Sequence, residues 1–128
     1  MKVLLDTHAF IWWDGDPTRL SPHVLALCQN RDNTLMLSVA SIWEMQIKLQ
    51  LGKLTMMLPL VELIESQQQI NNLAILPITL THVLALQNLP LHHKDPFDRL
   101  LIAQAGIEEA VLISGDAAFA KYDVRLKW

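Results

Sequence analysis

The 128-residue chain has a single cysteine, Cys28, so it cannot form an internal disulfide and is expected in a reducing cytoplasm. Cys28 falls in the apolar pattern Val24, Leu25, Leu27, which reads as core packing rather than a reactive thiol. No apolar run approaches the roughly 18 residues a membrane span requires. The opening Lys2-Val3-Leu4-Leu5 starts like a signal peptide, but Asp6 interrupts it. Charged residues are scarce at 18%, and neither an internal repeat nor a low-complexity segment is evident. There is no basic excess either: 10 lysines and arginines face 13 acids, a net charge of −3, which argues against nucleic-acid binding through a broad basic surface.

What the chain does have is apolar content, 52%, enough for one full core in one domain spanning residues 1–128 and for an interface with a second copy or a partner. Lys2–Leu5, Thr34–Ser38, Ala74–Ile78, Ala110–Ser114 and Val124–Leu126 read as short strands. Between them, helices are predicted over Thr7–Trp13, Pro22 to about Asn30, Val39–Leu51, Leu60–Gln69, Thr81–Asn88 and Pro96–Ala105, with a helical turn at Ala117–Lys121. Asp14-Gly15-Asp16-Pro17 is expected to break the first helix, and Gly52 and Gly106 to stop the third and sixth. Ser21-Pro22 and Asp95-Pro96 carry the cap-plus-proline signature of a helix start. Strands alternating with helices predict a three-layer α/β domain around a central, mainly parallel sheet.

Four acids then stand out. Asp6 and Asp116 follow the first and fourth strands. Glu44 and Asp98 lie near the starts of helices leading to or from the same sheet edge, where parallel sheets bind ligands. Each has a local explanation. Asp6 and Asp116 suit helix caps, Ser41 and Glu44 have capping-box spacing with Lys48 at i+4, and Asp98 complements a helix dipole. Glu44, though, has apolar neighbours on almost every side and so needs a partner. Four carboxylates at one edge repel unless a divalent cation neutralises them. Removing four negative charges from the net −3 leaves the remainder at +1, so composition does not decide against a nucleic acid.

The other polar residues are less specific. His92-His93 read as surface loop because no second His/Cys cluster supports a zinc site. His8 lies close enough to Asp6 to touch a substrate. Lys48 and Arg99 neighbour acids and suit either ion pairing or phosphate contact. Trp12-Trp13, Trp43 and Trp128 read as core or interface anchors rather than base-stacking platforms.

The ordered segments Leu4-Leu5-Asp6-Thr7-His8, Ser38 to Lys48, Asp95 to Ala105 and Ser114-Gly115-Asp116-Ala117-Ala118-Phe119 together resemble PIN-domain proteins, most nearly the VapC-type toxins of toxin–antitoxin pairs. The resemblance covers nearly the whole chain. It implies the PIN sandwich and an endoribonuclease dependent on Mg²⁺ or Mn²⁺, hydrolysing RNA phosphodiesters through a water that the ion activates. Asp6, Glu44, Asp98 and Asp116 match the family's four acids. Asp6 and Asp98 are the first choices for direct metal ligands, while Glu44 and Asp116 bind directly, through water, or at a second ion. Thr7, Lys48, Arg99 and Ser114 are candidates for substrate contact. The resemblance also implies a homodimer and a small cognate antitoxin that reaches the acidic groove with a basic side chain. A catalytically weak RNA- or protein-binding module is the alternative. A dehalogenase-type phosphatase is disfavoured, because the acid it requires two positions after Asp6 is His8.

Overall fold

The computed structural model describes all 128 residues. Five strands form one wholly parallel sheet in the order β3-β2-β1-β4-β5: β1 (Lys2–Leu5), β2 (Thr34–Ser38), β3 (Ala74–Leu76), β4 (Val111–Ile113) and β5 (Leu126–Lys127). The helices are α1 (Thr7–Gly15), α2 (Pro22–Gln29), α3 (Val39–Gln50), α4 (Leu60–Asn71), α5 (Leu80–Ala85) and α6 (Pro96–Glu108). Single 3₁₀ turns follow at Pro17–Arg19, Leu86–Asn88 and Ala117–Lys121.

The period-two alternation of strand side chains divides the core between the two faces of the sheet. Val3 and Leu5 of β1, with Leu35 and Leu37 of β2, pack against Phe10, Val24, Met45 and Leu63 of α1 to α4. Leu4, Met36 and Leu112 point the other way, onto Leu101, Ile102 and Ala105 of α6 and onto Phe119 and Tyr122. The central strands are apolar on both faces because helices cover both, giving the expected three layers.

Several boundaries differ from the sequence reading, each for a local reason. Helix α1 continues through Asp14 and Gly15, and the chain turns only at Asp16, whose N–H returns to the Trp12 carbonyl. Gly106 lies inside α6. The helix ends instead at Glu109, which takes the left-handed conformation (φ 54°), while the Glu109 and Ala110 N–H groups return to Gly106 and Ala105. Strand β3 stops before Pro77, which has no N–H to give a ladder. Strand β5 sits one to two residues later than expected, at Leu126–Lys127. Ser41 does not form a capping box with Glu44. Ser38 caps α3, accepting from the Ala40 N–H at 3.0 Å, and the buried Ser41 hydroxyl has no protein partner.

The chain runs outward from β1 through β2 to β3, then returns to place β4 on the other side of β1. The carboxyl ends of β1 and β4 therefore flank the point where strand order reverses, the usual ligand position of an open parallel sheet. Asp6 follows β1 directly, and its N–H donates to the carbonyl of Ile113, the last residue of β4, at 3.0 Å.

Candidate active site

An open cleft of about 540 Å³ lies at this reversal point, and Asp6, Glu44, Asp98 and Asp116 all line it. Different elements deliver each one. Asp6 caps α1, accepting from the Ala9 N–H at 2.7 Å, so one carboxylate oxygen is held by backbone while the group stays 93% buried, being 7% exposed. Burial raises its pKa above the ordinary carboxylate range, the charge of Asp116 adds to the rise, and the Ser114 hydroxyl and Ala9 N–H oppose it.

Glu44 projects from the second turn of α3. Its Oε1 accepts from the Thr7 hydroxyl at 2.7 Å, and its Oε2 pairs with the Lys48 ammonium at 2.9 Å. The partner that an apolar surrounding demanded is thus a hydroxyl plus a lysine one turn on. Asp98 lies in the first turn of α6, whose start Asp95 caps by accepting from the N–H groups of Phe97 and Asp98. Burial lifts the Asp98 pKa to about 6, the negative charges of Asp95 and Glu44 push the same way, and His93 opposes them. Asp116 is exposed and caps the Ala117–Lys121 turn through the Ala118 N–H at 2.9 Å.

The surprise is His93. Its Nε2 lies 2.8 Å from the Asp98 carboxylate. Donor atoms of His93, Asp98 and Asp116 all fall within 4.8 Å of one another, as a divalent cation requires. Asp6 and Glu44 stand outside that tight group, so the trio does not reproduce the expected pairing of Asp6 with Asp98. The surface-loop reading of His93 fails because its loop is pinned inward: the His93 N–H donates to the Tyr122 hydroxyl at 2.9 Å. His93 precedes Asp98 by five positions, a spacing with no motif value until the loop path is known. Its only sequence signal is position, just ahead of a capped helix carrying an acid. Trp12 and Trp128 also line the cleft, contrary to their reading as plain anchors.

The four candidate substrate contacts separate. Lys48 and Thr7 line the cleft, each engaged with Glu44. Ser114 is buried, and its hydroxyl accepts from the Asp116 N–H at 3.1 Å, so it shapes the acidic loop from beneath. Arg99 points away. Its guanidinium donates to the carbonyls of Pro90 and Leu86 and to the Tyr122 hydroxyl, bracing the loop that carries His93. An arginine so committed is not free for phosphate, which corrects the expectation from its position beside Asp98.

Five carboxylates and one lysine line the cleft, counting Asp95. Oxygen-rich donor sets of this kind fit a hard divalent cation, and the added imidazole suits the softer members of that class. The raised pKa of Asp98 reflects chiefly its burial, which the His93 hydrogen bond only partly offsets.

Residues 3–125 match the family model described as PIN domain. The chain belongs to the PIN domain family. Comparison with curated protein sequences finds no significant match. Among solved structures, it resembles the Rickettsia felis VapBC2 complex bound to a DNA fragment from its promoter, with a TM-score of 0.74 at 17% identity, covering 99% of this chain and 98% of that one. It also resembles VapBC-1 from nontypeable Haemophilus influenzae, with a TM-score of 0.64 at 18% identity, covering 99% and 97%. A toxin-antitoxin complex from Klebsiella pneumoniae gives 0.62 at 15% identity, covering 98% and 96%. At these identities the likeness speaks to the PIN fold. No helix of the chain is long and apolar enough to cross a membrane.

Proposed function

We propose that this PIN protein is the toxin of a type II toxin–antitoxin pair, an endoribonuclease that hydrolyses RNA phosphodiester bonds with Mg²⁺ or Mn²⁺. The observation that carries this reading is the charge of the cleft: five carboxylates against one lysine, and that lysine already paired with Glu44. Such a cleft repels a phosphodiester. A divalent cation bound there would offset the carboxylates, lower the pKa of a water and neutralise charge developing on the phosphate. His93, Asp98 and Asp116 would hold the ion, with Asp6 close enough to Asp116 to share the charge. Glu44, held between the Thr7 hydroxyl and the Lys48 ammonium, would orient a water through its remaining lone pairs. Ser114 and Thr7 would position acids rather than touch RNA. The cleft has no serine or cysteine nucleophile poised against a base, and hydrolysis by water needs none.

The toxin assignment draws on the three complexes named above, whose fold the chain shares and which are VapBC or toxin-antitoxin assemblies. It includes a small cognate antitoxin that presents a basic side chain to the acidic cleft, a homodimer, and action in the cytoplasm, where RNA is available. Sequencing of RNA 5′ ends after pulse expression tests the activity. New ends should appear with wild type and vanish with Asp98→Asn. Identical end profiles would reduce the chain to a binding module.

A further inference from the structure

We propose that Trp12 and Trp128 form a stacking shelf for an unpaired nucleobase of single-stranded RNA beside the acidic cleft. This rests on the reading of the cleft as a ribonuclease site. Both indoles line the cleft, with centroids 5.5 Å apart and planes at 56°, so they make two walls of a corner rather than a closed stack. Trp12 is half-buried, anchored on the apolar cluster of α1, and turns the rest of its ring to the opening. Trp128 belongs to neither core cluster and remains 40% exposed. An indole left this open by a chain with ample apolar surface elsewhere is not explained by core packing.

The position of Trp128 is nonetheless set. Its ring lies on the backbone of Gly115, where even a β-carbon would approach the ring to 2.9 Å. Gly115 separates Ser114 from Asp116, so the glycine that lets the acidic loop pass also seats the indole against it. The preceding residue, Lys127, accepts from the Ser114 N–H at 3.2 Å, which fixes the strand that carries the ring.

Charge favours a polyanion at the same corner. Arg19 lies over the Trp12 ring, 5.2 Å from its centroid, and pairs with no carboxylate. It is a cation free to meet a neighbouring phosphate, whereas Lys48 is committed to Glu44. A strand crossing the cleft would place one phosphate at the acids, a base on the indoles and the next phosphate near Arg19. Aromatic faces accept any base, and bases splayed from single-stranded RNA are free to use them.

Single-turnover cleavage in Mn²⁺ over a range of enzyme concentrations tests the shelf. The substrate is a single-stranded RNA, either intact or abasic at the nucleotides flanking the cut. Trp128→Ala should raise the half-saturating enzyme concentration on intact RNA by roughly 5- to 150-fold. Trp128→Phe should recover most of the loss. Calorimetric affinity for Mn²⁺ should stay that of wild type in both, showing the acidic cleft intact. Wild type should lose a similar factor on abasic RNA, and Trp128→Ala should lose nothing further there. A wild type that cleaves RNA while Trp128→Ala binds intact RNA equally well, or weakens both RNAs alike, overturns the shelf and leaves the nuclease reading standing. A wild type that binds Mn²⁺ but cleaves no RNA overturns both.

Discussion

Asp98→Asn should make the metal-free protein more stable while abolishing its response to metal. Burial, Asp95 and Glu44 raise the Asp98 pKa from the ordinary 3.8 to about 6. The folded state therefore holds this proton more tightly than the unfolded chain. Stability of the metal-free protein is lost as pH rises through about 6, and above that value the ionised group exacts its full cost. At about 1.4 kcal/mol per pH unit, the cost is roughly 3 kcal/mol, a ceiling because the side chain is 19% exposed and water screens part of it. Asparagine removes the charge, keeps the shape and can still hydrogen-bond His93. The expected gain at pH 8 in EDTA is about 1–3 kcal/mol, or roughly 4–10 °C in melting temperature for a domain of this size. The gain should shrink toward zero as pH falls to 4. Adding Mn²⁺ at a hundredfold its Kd should stabilise wild type by about 2.7 kcal/mol and the variant hardly at all. Thermal unfolding across pH, with and without Mn²⁺, reads all of this. A variant less stable than wild type in EDTA at pH 8, or equal metal shifts in the two proteins, would refute the idea of a site strained by uncompensated charge.

Other residues carry further expectations. His93→Ala should weaken Mn²⁺ binding by roughly 10- to 100-fold in calorimetry, the usual effect of losing a ligand or its orienting partner; unchanged affinity would return His93 to the surface-loop reading. Thr7→Val leaves Glu44 Oε1 without its hydroxyl and should cost about 1–3 kcal/mol in chemical denaturation, with Thr7→Ser recovering much of it. Leu101→Ala opens a void in the fully buried layer under α6 and should cost about 2–5 kcal/mol, with no change in Mn²⁺ affinity per folded molecule. Arg99→Lys should loosen the loop carrying His93, weakening metal binding without altering any acid, because one ammonium nitrogen lacks the planar fork with which two guanidinium nitrogens span these acceptors.

The fold was readable because its signals are local. Short apolar runs gave the strands, and Ser21-Pro22 and Asp95-Pro96 marked two helix starts that the structure keeps. That the four acids would meet at one cleft was readable because strand ends and early helical turns of a parallel sheet converge by topology. What escaped were effects of loop path and chain closure. His93 matters because a loop braced by Arg99 and Tyr122 turns it onto Asp98. Trp128 reaches the cleft because β5 pairs with β4, and pairing of that kind leaves no mark in the spacing of residues. Arg99 misled for the same reason: adjacency to Asp98 in sequence says nothing of direction, and the helix aims it at carbonyls instead. Glu44 shows both sides, since its apolar neighbours announced a buried partner while only the fold revealed Thr7.

The decisive measurement is the single-turnover rate of RNA hydrolysis by purified protein, stripped with EDTA and then restored with Mn²⁺, for wild type and Asp6→Asn. Wild type should be inactive when stripped and recover with the metal, and the variant should be slower by at least about 10²-fold, the usual cost of removing one electrostatic group from such a site. Cleavage that survives EDTA, or an Asp6→Asn protein as fast as wild type in Mn²⁺, would contradict a metal-dependent nuclease built on these acids.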